Sequence, residues 1–330
     1  MKLENRGRYF FSFLLFCLAV ALYLSLIVGA VRTGRQDLWN FLFHGDPAFR
    51  TIFLDLRLPR AVLAFLVGAS LSLSGAILQG YFQNPMADPF VVGVSSGASL
   101  GAVLCLFLGI EATTLGLPLQ SLVAFGSGLG IVSVVYLLSR RKSVLKTETL
   151  LLTGIASGAL ASSLTSFLLF MRSDSFEQAV FWLLGSLALA DWRQVSVILP
   201  YFLFSLFLAQ WLAKDMNLLV LGDDVAQSLG CPVRRVRQAF LCLSTLLAAV
   251  SVSVSGIIGF AGLIVPHGVR ILAGPDHKRL FFFSSLAGGI FLMFCDLLAR
   301  TVLEPAELPI GVITAAVGAP FFIYLLHRRK

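Results

Sequence analysis

The sequence predicts an all-α polytopic membrane protein: ten transmembrane helices, both termini cytoplasmic, forming a single domain over residues 1–330. Three observations lead there. Hydrophobic residues make up 58% of the chain and charged residues 13%, where a soluble domain carries roughly 25% charged, and the mean hydropathy is +0.89. Apolar runs recur along the whole chain at roughly the 20 residues a helix needs to cross hydrocarbon. These runs are too long and too evenly apolar for barrel strands, and lipid accommodates little besides helices and closed barrels.

The elements follow in order. A charged start with Lys2, Arg6 and Arg8 precedes an apolar run, Tyr9–Val31. That run exceeds the core of roughly 7–15 residues of a signal peptide and lacks a small-x-small exit, so it is predicted as a retained span 1. A polar connection, Arg32–Arg60, leads to span 2, Ala61–Gln79, which ends in FQNPMADP, where two prolines stop the helix. Spans 3, 4 and 5 are Val91–Leu108, Leu119–Leu138 and Thr149–Met171. The segment Ala179–Ala190 is too brief to cross and is expected at the interface or re-entrant. Span 6 is Val195–Leu212 and span 7 is Ala239–Ser255. Span 8, Gly259–Leu272, carries Pro266 and His267 and is expected to be irregular and shielded by protein. Spans 9 and 10 are Leu280–Leu298 and Ile310–Leu326.

An even number of spans puts both termini on one side, and the cations say which. Of the 25 lysines and arginines, 17 fall at the termini and in the 4/5, 6/7 and 8/9 connections. By the positive-inside rule that face is cytoplasmic. The net charge of +8 therefore reports orientation rather than nucleic-acid binding. Five cysteines lie scattered with no CxxC pair, which suggests small buried hydrophobes rather than disulfides or a zinc site. Ser70–Gly75 and Ser251–Gly256 share the pattern Ser-x-Ser-x-Ser-Gly at an offset of 181 residues, as do Pro85 and Pro266. The pattern is either the trace of an inverted repeat or coincidence in a chain rich in serine and glycine.

One stretch stands apart. Leu218–Gln238 reads LLVLGDDVAQSLGCPVRRVRQ, with two adjacent acids and three arginines between lipid-soluble spans. Leu218, Leu221, Val225 and Leu229 recur at 3-4-4 spacing as one apolar stripe. Gly222 and Asp223 break or start a helix with its acids at the positive end, Gly230 ends it, and Pro232 suits the first turn of the next. An apolar stripe on a cytoplasmic helix calls for a partner protein or for the membrane surface.

Chemistry within the chain is sparse. No GxxxxGK[ST] phosphate loop occurs, so ATP is not bound by that device, and the four histidines show no ligand spacing. Acids are nearly absent from span interiors, which argues against ion-coupled transport and intramembrane hydrolysis. In span 5, Gly154, Gly158, Ala161 and Thr165 recur at helical spacing beside Ser157, Ser162 and Ser166. Such a stripe serves close helix packing or forms a weakly polar wall of a wide pathway.

Four motifs carry a resemblance: LRLPRAVLAFLVGASLSLSGAILQGYFQNPMADPFVVGVSSGASLGA, FWLLGSLALADWRQV, GFAGLIVPHGVRILAGPDHKRL and AELPIGVITAAVGAPFFIYLL. From about Arg57 to Leu326 the sequence resembles the FecCD-type permeases of bacterial ABC importers for iron–siderophore complexes, heme and cobalamin. The resemblance implies a permease in the cytoplasmic membrane that pairs with a second copy. Two separate ATPase subunits would hold ATP and magnesium, and an extracytoplasmic binding protein would feed the pathway; the chain itself would need no cofactor. It implies that Leu221, Asp224, Val225, Ala226, Leu229 and Gly230 form the coupling motif, with Asp224 where the family carries glutamate. It implies that Arg57, Arg60 and Arg300 meet acids of the binding protein. Asn84, Met86, Thr147 and Glu148 match gate positions, Glu148 standing where the cobalamin permease has a small polar residue. Gly154, Gly158, Ser162 and Thr165 would line the pathway. A stand-alone secondary transporter or channel is the alternative reading.

Overall fold

The computed structural model describes residues 2–29, 37, 47–110, 112–114, 116–141, 144–145, 147–171 and 176–328. Most of the 1/2 connection, His44, Lys142, Lys146, Arg329 and Lys330 lie outside the described residues. Helix α1, Lys2–Ile27, is followed after that connection by a helical turn, Pro47–Arg50, and a π-helical stretch, Thr51–Arg57. This runs directly into α2, Leu58–Tyr81, with Pro59 in its first turn, where the missing N–H is harmless. A 3₁₀ turn, Pro89–Val92, introduces α3, Val94–Leu108. Then come α4, Leu119–Ser139, α5, Thr147–Met171, and the brief α6, Phe176–Leu183. Helix α7, Trp192–Trp211, opens on a capping box between Asp191 and Gln194. Two short helices, α8, Ala213–Leu219, and α9, Asp223–Ser228, precede α10, Val233–Ser255. The chain finishes with α11, Ala261–Ala273, α12, His277–Thr301, and α13, Ile310–Arg328. Two short antiparallel strand pairs, Thr113–Thr114 with Leu117–Pro118 and Arg140–Arg141 with Val144–Leu145, close the 3/4 and 4/5 turns.

Seven of these helices are long and apolar enough to cross a membrane, and α3, α11 and α13 are shorter apolar helices on three further expected spans. The chain is a multi-pass membrane protein. The segment expected not to cross holds the 8-residue α6 and then non-helical backbone.

Helix α2 is the hub, packed on α12, α10, α11 and α7 and buried along almost its whole length. Its small residues explain why. In a bilayer, helices are held by close backbone approach and interhelical hydrogen bonds rather than by a hydrophobic drive. Gly75 meets the backbone of α11 so closely that a Cβ there would lie 1.8 Å from the Gly262 carbonyl oxygen. That carbonyl is the one that Pro266, lacking an N–H, leaves without its helical donor. Gly68 and Gly288 make the same kind of approach between α2 and α12. Ser72 Oγ donates to the Ala261 carbonyl at 3.2 Å, Ser74 Oγ to Ser244 at 2.8 Å, and Gln79 Nε2 to Leu263 at 3.0 Å.

Two expectations change here. Span 8 is a regular helix, because Pro266 frees a carbonyl without breaking the turns around it; the irregular backbone lies ahead of it, at 256–260. The two Ser-x-Ser-x-Ser-Gly copies also differ in local structure. The first sits inside the continuous α2, whereas the second ends α10, with Gly256 as its C-cap.

Candidate functional site

Three regions hold the residues singled out in the sequence. The first is the polar stretch. Gly222, at φ +108, supplies a backbone conformation that a side chain would strain, and it separates α8 from α9. The apolar stripe is thereby bent. Leu218 stays half-buried, while Leu221, Val225 and Leu229 are 61%, 46% and 60% exposed. Ala226, between them, is fully buried and anchors α9 to the bundle. Asp223 and Asp224 occupy the first turn of α9, and Gly230 follows its end.

Behind this stretch lies a linkage that sequence reasoning missed. Arg237, near the start of α10, holds Asp223 Oδ1 through Nη2 at 2.6 Å and Nε at 3.1 Å. Its Nη1 donates to the Tyr81 carbonyl at 3.0 Å, and its guanidinium stands 5.0 Å from the Tyr81 ring centroid. Gln83 Nε2 donates to the Leu219 carbonyl at 2.8 Å. The polar stretch is thus tied twice to the C-terminal end of α2. The sole sequence signal was the placing of three arginines after two acids within one stretch.

The second region is the 2/3 loop and its neighbours. Asn84 accepts the Met86 N–H on Oδ1 at 2.9 Å, an Asx turn that shapes the loop. Asp88 caps the 3₁₀ turn by accepting the Phe90 N–H at 2.8 Å. Desolvation in the packed loop pushes the Asp88 carboxyl up to about 6 against the pull of that hydrogen bond. Thr147 and Glu148 start α5 with Glu148 exposed, and among the described residues no hydrogen bond joins them to Asn84 or Met86.

The small-residue stripe of α5 resolves toward packing. Gly154, Gly158, Ala161 and Thr165 are buried. A Cβ on Gly154 would meet the Val91 carbonyl oxygen at 2.7 Å. Gly154, Gly158 and Thr165 lie on the packed side of α5. Their backbone is needed for contact with the 3₁₀ turn and α3. Ser162 is exposed and donates to Ser96 Oγ at 3.3 Å.

The third region is the cluster that holds Arg57, Arg60 and Arg300. Arg57 and Arg300 are buried. Arg57 Nη1 donates to the Leu26 and Ile27 carbonyls, and Arg300 Nη2 to the Ser25 carbonyl at 3.2 Å. Two cations thus satisfy the orphan carbonyls at the C-terminal end of α1. Arg60 is held by Asp296 at 2.9 Å and Glu307 at 2.9 Å. These side chains are bound within the protein rather than presented as free surface charges, because the ends of α1, α2 and α12 converge on one cluster.

The comparisons with known proteins agree with this architecture. The FecCD transport family matches residues 17–328. The cobalamin import system permease protein BtuC of Halobacterium salinarum is 43% identical over 83% of this chain and 73% of its own length. The hemin transport system permease protein HmuU of Yersinia pestis is 38% identical over 98% of this chain and 96% of its own length. A solved metal-chelate type ABC transporter in an inward-facing conformation superposes with a TM-score of 0.86 at 31% identity, covering 97% of this chain and 99% of that one.

Proposed function

The chain belongs to the FecCD transport family, and from that membership we propose that it is the ten-span permease of an ATP-driven importer, carrying a large metal chelate inward across the cytoplasmic membrane. It is a transport subunit and not itself a catalyst. One observation carries the reading. Leu221, Val225 and Leu229 stand exposed on a bent helical segment at the cation-rich end of a chain with no phosphate loop of its own. Fully burying one such side chain in a partner is worth up to roughly 1.5–3 kcal/mol, so the three together offer an ATPase subunit an apolar anchor. The Asp223–Arg237–Tyr81 linkage then offers a route from that contact to α2 and the 2/3 loop bearing Asn84 and Met86.

In this reading a second permease copy completes the pathway, two ATPase subunits bind ATP and magnesium, and a binding protein delivers substrate from outside. ATP closure moves the coupling segments, and the permeases rock between outward- and inward-open states. The named relatives act on cobalamin and on hemin, which supports a metal chelate as the substrate class. Glu148, exposed at the start of α5, places a charge where the gate would favour a cationic or neutral cargo.

The test is purification of Val225→Asp with Leu229→Asp beside its ATPase subunit. Release of the ATPase is expected; an intact complex overturns the coupling assignment. Uptake that persists after ATP depletion, with the ion gradient kept, would instead identify a stand-alone secondary transporter.

A further inference from the structure

At the cation-rich end of the bundle, two cavities meet between α4 and α10. The first, about 490 Å³, is lined by Arg140 at the end of α4, by Arg234 and Arg235 at the start of α10, and by Asp223 and Gln227 of α9. The second, about 590 Å³, lies between the same two helices, lined by Leu129, Val132, Leu137, Leu241, Cys242 and Leu246. Tyr136 and Gln238 line both. They are joined by a hydrogen bond from Gln238 Nε2 to the Tyr136 hydroxyl at 2.5 Å, which leaves the hydroxyl proton of Tyr136 free to donate elsewhere.

The charges at the mouth are unevenly committed. Arg237 is engaged by Asp223 and the Tyr81 carbonyl. Arg140, Arg234 and Arg235 are exposed, and among the described residues no ion pair or hydrogen bond engages their guanidinium groups. The structure therefore presents three uncommitted guanidinium groups opening onto an apolar groove between two helices long enough to span. A soluble anion would use the mouth and leave the groove empty. An apolar molecule would fill the groove and leave the arginines idle. An acidic protein surface would cover the mouth from outside and could not follow the groove into the membrane. One class of ligand uses both parts.

We infer that the α4–α10 groove binds an anionic phospholipid. Its phosphate sits among Arg140, Arg234 and Arg235, its ester region lies at Tyr136, and one acyl chain runs along Leu241 and Cys242. Basic pockets between helices on the cytoplasmic side suit such headgroups, and guanidinium groups bind phosphate oxygens in pairs of parallel hydrogen bonds. Because Asp223 and Gln227 share the mouth, the headgroup braces the back of the segment that carries Leu221, Val225 and Leu229. This site does not depend on the transport reading.

The test uses the full chain in vesicles of phosphatidylglycerol and phosphatidylcholine, with retained lipid measured by native mass spectrometry. Arg140→Gln/Arg234→Gln/Arg235→Gln should lose on the order of 100-fold in preference for phosphatidylglycerol, and the matching triple lysine variant should keep most of it. Leu241→Trp, which fills the groove, should lose retention with the arginines intact. In the wild type, Cys242 should be alkylated more slowly by a membrane-permeant maleimide in phosphatidylglycerol than in phosphatidylcholine. Equal alkylation rates in the two lipids, or unchanged lipid preference in the triple glutamine variant, overturn the inference. If that variant instead sheds a protein partner while lipid preference is unchanged, the mouth belongs to an acidic protein surface. Should it fail to fold, the wild-type alkylation rates and Leu241→Trp decide the question.

Discussion

Replacing Arg237 with glutamine separates two contributions that share one guanidinium. Toward Asp223, 52% exposed, the ion pair is open to water and is worth about 0–1 kcal/mol despite its 2.6 Å contact. Toward Tyr81 the balance differs, because the Arg237 side chain is only 12% exposed and its Nη1 serves a carbonyl at the packed end of α2. Leaving such a carbonyl unsatisfied costs about 1–3 kcal/mol, and the cation–π contact adds about 0.5–1 kcal/mol. Arg237→Gln should therefore destabilise the chain by roughly 2–4 kcal/mol, most of it through Tyr81, while Asp223→Asn should cost no more than about 1 kcal/mol. Denaturant unfolding of the detergent-purified chain, followed by tryptophan fluorescence, measures both, and the double variant closes the cycle. In the assembled importer Arg237→Gln should also raise the ATP consumed per substrate moved. The reasoning fails if Asp223→Asn costs as much as Arg237→Gln, or if Arg237→Gln stays within about 0.5 kcal/mol of wild type.

Arg60→Gln should cost about 1.5–3 kcal/mol, since it removes the shorter of two cationic contacts from the buried Asp296, which keeps Arg300 Nε at 3.5 Å; Glu307→Gln, on the more exposed arm, should cost about 1 kcal/mol or less. The same unfolding measurement ranks them, and equal costs would contradict the burial argument. Gly75→Ala should destabilise by at least about 1–3 kcal/mol, because its Cβ meets backbone rather than a yielding side chain; normal yield of folded protein would refute that contact. Asp88→Asn should remove a pH dependence. The folded-state carboxyl titrates near 6, above roughly 3.9 for an unfolded chain, so protonation favours the fold. That stabilisation is fully present below about pH 4 and lost as pH rises through 6. Asparagine keeps the acceptor for the Phe90 N–H without the titration. Its unfolding midpoint should gain on wild type between pH 4 and pH 7, and parallel pH profiles would count against the shift.

What the sequence made legible was periodic and local. Apolar runs located the helices, and the 3-4-4 spacing of Leu218, Leu221, Val225 and Leu229 marked a face that is exposed from Leu221 onward. Gly222 and Gly230 were readable as breaks because no long-range partner is needed to require a positive φ there. The partners of Arg57, Arg60 and Arg300 within the chain were not legible, for the opposite reason. A cation near a span end carries no local mark of what it meets inside the chain, and Asp296 lies 236 residues from Arg60. The glycine stripe of α5 allowed two readings because spacing alone does not say which surface a helix face meets; a Cβ on Gly154 would lie 2.7 Å from the Val91 carbonyl oxygen, so that face serves packing. Tyr81 as the anchor of Arg237 had no local pattern at all, since the acceptor is a backbone carbonyl.

Helix α2 spans 24 residues, about 36 Å at 1.5 Å per residue, with Arg60 in the arginine–carboxylate cluster at one end and the Tyr81 carbonyl at the other. Sharp bending of a helix needs a proline, a loosened glycine or an inserted group. Beyond Pro59, α2 has no proline, and Gly68 and Gly75 are clamped against backbone of α12 and α11. A push at Asp223 that reaches Tyr81 through Arg237 should therefore move α2 whole, and α11 and α12 with it. Helix α5 is not bound to that body. It packs on α3, α4 and the 3₁₀ turn, while α3 and α4 in turn pack on α10, so the loop Phe82–Gly93 with Asn84 and Met86 links α2 to the helices that carry α5. The α4–α10 groove lies between one of those helices and α10, with one wall on each. A lipid seated there touches both, so it favours whichever arrangement fits it better. By reciprocity, the arrangement imposed by the coupling segment must change the affinity of the groove for that lipid.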